Sequence, residues 1–227
     1  MAAPPSRLPR PRPLLALALL TATCAVRSAV ADGLRDFDPA AVAALDAAMW
    51  ESYYARQRLR LFCQLAALAR SQGDCSRLAS YRLAYRAARA AFVFKRGKDR
   101  ADYAQALPTL EKLFRALGRV HHLSFDPKRA AALELEWWII HRERASRQPG
   151  ELEAALAAAA AEVYGITAEQ AMGYAGKRAE AMAWRDTKAA AGPLTAADWT
   201  AVRERLQESW QSLWNALHPA ASPDPAP

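Results

Sequence analysis

Glu134 and His141, a carboxyl and an imidazole, stand seven residues apart in the most distinctive stretch of the chain. On a helix that spacing is about two turns, so the two groups share one edge. Trp137 and Trp138 lie between them. Such a pair in apolar surroundings suits general acid–base chemistry, or could supply part of a metal site. The dimetal pattern of helical bundles requires a Glu and a Glu-x-x-His from each half. No Glu-x-x-His occurs in this chain, so neither a metal nor a cofactor is expected. A plainer reading makes Glu134 and His141 members of a buried ion-pair network with Arg or Tyr from neighbouring helices.

Arginine supplies the second constellation. Arg82, Arg86 and Arg89 recur at helical spacing beside Tyr81 and Tyr85, and Arg58 follows Tyr54 by one turn. Guanidinium groups facing one another between adjacent helices hold a phosphate or carboxylate bidentately. The expected ligand-binding set is Tyr54, Arg58, Arg82, Arg86, Arg142 and Arg178, with Arg58 or Arg178 anchoring a substrate if the chain is an enzyme. The competing role for these side chains is to cover apolar surface with their stems while their heads stay in water.

The elements that must position these groups are helices. The chain of 227 residues is rich in Ala and poor in Gly, and its Gly and Pro fall mostly between periodic segments. Phe37-Asp38-Pro39 reads as a helix start, with Asp38 capping and Pro39 in the first turn. That helix is expected to run over 37–71. A second follows over 76–94, burying Tyr81, Tyr85, Ala88 and Phe92. A third spans 99–120 and is interrupted before Pro108. Phe125-Asp126-Pro127 then repeats the opening. On the helix it starts, Leu133, Trp137 and Ile140 form one apolar face, and Leu135, Trp138 and Ile139 another, which predicts a central position. Three more helices follow, over 151–164, 167–191 and 195–217.

Placing Phe37 on Phe125 aligns Asp46 with Glu134 and Trp50 with Trp138. Further on, Tyr85 and Arg89 fall on Tyr174 and Arg178. The fold class expected is all-α: one bundle of about seven helices over 37–217. It is built from a three-helix unit used twice (37–124 and 125–217), with 151–164 inserted in the second copy. The copies differ where Tyr53 and Tyr54 stand against His141 and Arg142.

Outside the bundle, arginines precede an apolar run over 14–26 and small residues surround Ala31, the order of a secretory signal peptide. This predicts a secreted or periplasmic chain cleaved near Ala31. The alternative is a cytoplasmic protein with an N-terminal extension. The Pro-rich tail over 218–227 is expected to be disordered. Cys63 and Cys75 are expected as free thiols.

The net charge of +8 permits affinity for anions, but it is spread over several helices, without a DNA- or RNA-binding motif. No Gly-rich phosphate loop, nucleophile elbow or further membrane-length apolar run is present. The function expected is non-enzymatic binding of a partner protein or small anionic ligand. The alternatives are an enzyme using Glu134 and His141, and non-specific nucleic-acid binding.

Overall fold

A computed structural model describes residues 34–72 and 75–219; the expected leader and nearly all of the tail lie outside them. The fold is an all-α helical bundle. Its helices are α1 (Pro39–Tyr54), α2 (Arg58–Ser71), α3 (Arg77–Arg96), α4 (Arg100–Ala104), α5 (Leu107–His121), α6 (Pro127–Arg142), α7 (Glu151–Tyr164), α8 (Ala168–Ala191) and α9 (Ala196–Leu217).

Local chemistry accounts for most of the boundaries. Asp38 accepts from the amide of Ala40 at 2.9 Å, and Asp126 from that of Lys128 at 2.9 Å. Each cap leads into a proline at the head of a 16-residue helix. Thr167 with Gln170, and Thr195 with Asp198, close reciprocal capping boxes on α8 and α9. Gly150 and Gly165 bracket α7 in the left-handed region, at φ of 80° and 64°. As expected from Pro108, the third helical run is broken, α4 ending at Ala104 and α5 beginning at Leu107.

Each principal helix packs on the next: α1 on α2, α2 on α3, α3 on α5, then in sequence through to α9, which returns to pack on α1. Eight helices therefore close into a ring, and α4 is a short connector. Short turns between neighbours make successive helices alternate in direction. No helix runs down the middle, so the interior is filled by side chains or left open.

Four sequence expectations change. The segment 37–71 is two helices, not one. Arg56 enters the left-handed region at φ 60°, and the Gln57 amide closes the turn on Ser52 O at 2.8 Å. The polar run Arg56-Gln57-Arg58 contains nothing to bury, so the chain reverses there and brings Leu61 back against the core. Consequently α7, expected as an insertion, has in α2 a helix of the same 14-residue length at the same place in the order.

The second correction concerns α3. Its buried side is Ser80, Leu83, Ala84, Ala90 and Phe94, whereas Tyr81 and Tyr85 are 45% and 58% exposed. Ala88 and Phe92 do turn inward and line the interior, so the expected face is displaced only at its two tyrosines.

Third, Tyr85 and Arg89 are exposed, while Tyr174 packs on the core and Arg178 is nearly buried. The two pairs therefore occupy different sides of their helices.

The central position expected for α6 is not found: it is one member of the ring, and its two apolar faces are satisfied by two separate core clusters. Ile140 and Trp137 join a core cluster with α1, α7, α8 and α9. Leu135, Ile139 and Trp138 join another with α3 and α5. Cys63 and Cys75 are free. No helix among the described residues is long and apolar enough to cross a membrane.

Candidate functional site: a cavity inside the ring

The interior of the ring holds a cavity of about 420 Å³, lined from α1, α2, α3, α5, α6 and α8. Because α1, α6 and α8 run the same way, their inward residues form three successive layers.

Asp46, Glu134 and Arg178 make the deepest layer. Arg178 reaches Asp46 with both guanidinium nitrogens, the second at 3.4 Å. Trp210 Nε1 also donates to Asp46, at 2.9 Å. Burial opposes the charge on Arg178, but Asp46, Tyr174 and Glu134 together outweigh it and hold the guanidinium above its ordinary pKa. Its face lies over the rings of Trp50 and Tyr174, with centroids at 5.4 and 5.8 Å. Burial also pushes the Tyr174 hydroxyl up to about 12.

Glu134 is held differently. Trp137 Nε1 and Trp138 Nε1 donate to its two oxygens at 2.8 and 2.9 Å. The donors sit three and four residues on, where a helix brings side chains together. Among the described residues no cation is bonded to this carboxyl. Burial raises its pKa, and the two indoles and the more distant Arg178 only partly offset that rise.

The middle layer is apolar: Met49, Trp50, Trp137, Trp138 and Met182, faced by Ala87, Ala88 and Ala91 of α3. The outermost layer is polar and more exposed. His141 Nε2 lies 3.7 Å from Asp186, while its buried Nδ1 has no partner. Burial lowers the His141 pKa against the pull of Asp186, and nearby Arg144, Arg147 and Arg185 lower it further. Arg185 bonds Asp186 at 2.7 Å and stacks on the Tyr54 ring at 3.3 Å. Arg142 lies over Phe94 and Tyr103.

Of the expected site residues, Glu134, His141, Tyr54, Arg142 and Arg178 line this one cavity. Glu134 and His141 are not bonded to each other; each is engaged by other groups. Arg58 lies in a neighbouring pocket, and Arg82 and Arg86 line an outer groove with Tyr81 and Tyr85. The Arg stripe of α3 and Arg58 are thus not brought together.

Asp186, Arg185 and Trp210 were not anticipated, because the groups that draw them into the site, His141, Tyr54 and Asp46, lie on other helices and carry no local signal. The two indole donors to Glu134 were legible in principle from their spacing. Among the described residues, no three His, Cys, Asp or Glu side chains converge as metal ligands. Compared with family models, curated proteins and solved structures, the chain matches none.

Proposed function

We propose that the chain is a non-enzymatic binding protein that takes a small, largely apolar molecule bearing an acidic group into the ring. The observation that carries this is the cavity itself: indole and alkyl walls of ligand-sized volume beneath an arginine-bearing rim. Four arginines but only three carboxylates line it, and Glu134 is biased towards its neutral form. An apolar body would stack against Trp50, Trp137 and Trp138, with its acidic group towards Arg142 and Arg144. Native mass spectrometry of the purified chain and titration of its tryptophan fluorescence with aromatic and aliphatic carboxylates test this. The expected result is saturable quenching that is lost when Ala91→Trp fills the cavity. Quenching unchanged in that variant, or none across the panel, would count against it.

A second reading, an enzyme, draws on one observation. Burial moves Glu134 up, towards the range where a carboxyl exchanges protons near neutral pH, and moves His141 down, favouring the neutral imidazole that can accept one. If a ligand emerges, turnover lost in Glu134→Gln with binding retained would favour it.

Two further readings belong with this one. The chain is a duplicated four-helix unit, supported by the equal lengths of α1 and α6 and of α2 and α7. Export with cleavage near Ala31 rests on residue order alone. A mature chain beginning at Asp32 by mass spectrometry would support it, and an intact N-terminus in the native host would oppose it.

A further inference from the structure

A second pocket lies where the end of α1, the turn after it, the start of α2 and the end of α3 meet. It encloses about 290 Å³, and its polar lining is Ser52, Tyr53, Arg56, Arg58, Lys95 and Arg96. No carboxylate lines it, and none among the described residues pairs with any of these four cations. Elsewhere Arg100, Arg129, Arg178, Arg185 and Arg203 all reach a carboxylate.

Two of the cations are held over aromatic rings, Lys95 over Tyr53 at 4.7 Å and Arg58 over Phe92 at 5.5 Å. Lys95 and Arg96 lie in the last turn of α3, where cations offset free carbonyls. That does not account for Arg58. It begins α2, at the positive end of a helix whose N-cap residue, Gln57, makes no side-chain capping bond to the helix amides. Ser52 is 1% exposed, lines the same pocket, and its hydroxyl has no hydrogen-bond partner.

We propose that this pocket is a binding site for a phosphate group, carried by a small phosphomonoester or by a lipid headgroup. A dianion would relieve the mutual repulsion of four unpaired cations and accept from guanidinium forks, the ammonium and the Ser52 hydroxyl. The space exceeds one phosphate and leaves room for a short organic remainder. Tyr53, Leu61 and Phe92 also wall the central cavity, so the two sites adjoin.

The test is calorimetric titration of the full chain with inorganic phosphate and with glycerol phosphate, at ionic strength held constant by chloride. Flotation with phosphatidylcholine vesicles, with and without phosphatidic acid, is the second arm. Binding should saturate, and fall by at least about tenfold when Arg58→Glu and Lys95→Glu are combined. Ser52→Ala should weaken it several-fold. Arg56→Gly, which suits the local φ of 60°, provides a variant whose backbone is not strained.

Trp138→Phe should leave phosphate binding unchanged, separating this site from the cavity reading. Binding in solution alone marks a soluble phosphomonoester, and a gain on acidic vesicles marks a headgroup; either supports the site. No saturable binding in any arm, or equal binding by the doubly substituted chain, would overturn it.

Discussion

The half built from α1 to α5 and the half built from α6 to α9 present the same order of helices to the interior but fill it differently. On α3 the inward positions are Ala87, Ala88 and Ala91; on α8 they are Arg178, Met182 and Arg185. On α3, therefore, the first half leaves space, and every charged group lining the cavity except Asp46 comes from the second half. Neither α7 nor α9 lines the cavity, because Leu152, Leu156, Leu206 and Leu213 pack their side solid. A ring of near-equal helices thus gains an asymmetric interior from side-chain size alone.

The comparison is broken most sharply at Arg178. Arg178→Met should cost about 3–5 kcal/mol, because it leaves Asp46 buried without its cation. Arg89→Ala, on the exposed face of α3, should change stability by less than about 0.5 kcal/mol. Urea unfolding of both variants checks this, and equal costs would show that the buried Asp46–Arg178 pair matters no more than an exposed arginine of the first half.

Leu110→Ala and Leu206→Ala come next. Both leucines are fully buried, in α5 and α9, and each substitution should cost about 2–5 kcal/mol. A markedly smaller loss at Leu110 would mean that the open half relaxes around the void.

A pH series separates the ends of α1 and α6. Glu134 has its folded pKa raised above 4.5, so its stability cost is absent in acid and grows as pH rises towards the raised value. His141 has its folded pKa lowered below 6.5, so stability is lost as pH falls through 6.5 towards the lowered value. Relative to the parent chain, Glu134→Gln should gain stability with rising pH and His141→Gln with falling pH. Tyr53→Phe, at the corresponding turn of α1, should alter neither slope. Urea midpoints from about pH 4 to 8 provide the measurement.

The smallest effect is at the caps. Asp38→Ala and Asp126→Ala should each cost about 1 kcal/mol, and thermal unfolding should find them alike. Unequal costs would mean that the two helix starts are not equivalent.

Sequence by itself determined what short-range chemistry determines. Asp38, Asp126, Thr167 and Thr195 announced helix starts because a cap needs only residues a few positions away. Pro108 announced an interruption, and the two apolar faces of α6 announced that it would be packed on two sides, though as a member of the ring and not at its centre. Glu134 and His141 were legible as a shared edge, and the ring does turn that edge towards its cavity.

Tertiary structure decided the rest. The break at Arg56 has neither Gly nor Pro to mark it, since what favours it is the packing of α2 back onto α3. The buried face of α3 follows alanines, whose value depends on how closely a neighbour approaches. Asp46 met Arg178 and Trp210, and His141 met Asp186, only when α9 closed on α1 and α8 came round beside α6. The cavity itself is the volume left where the alanines of α3 face the larger side chains of α1, α6 and α8. Such a volume is a property of the closed ring and of no segment within it.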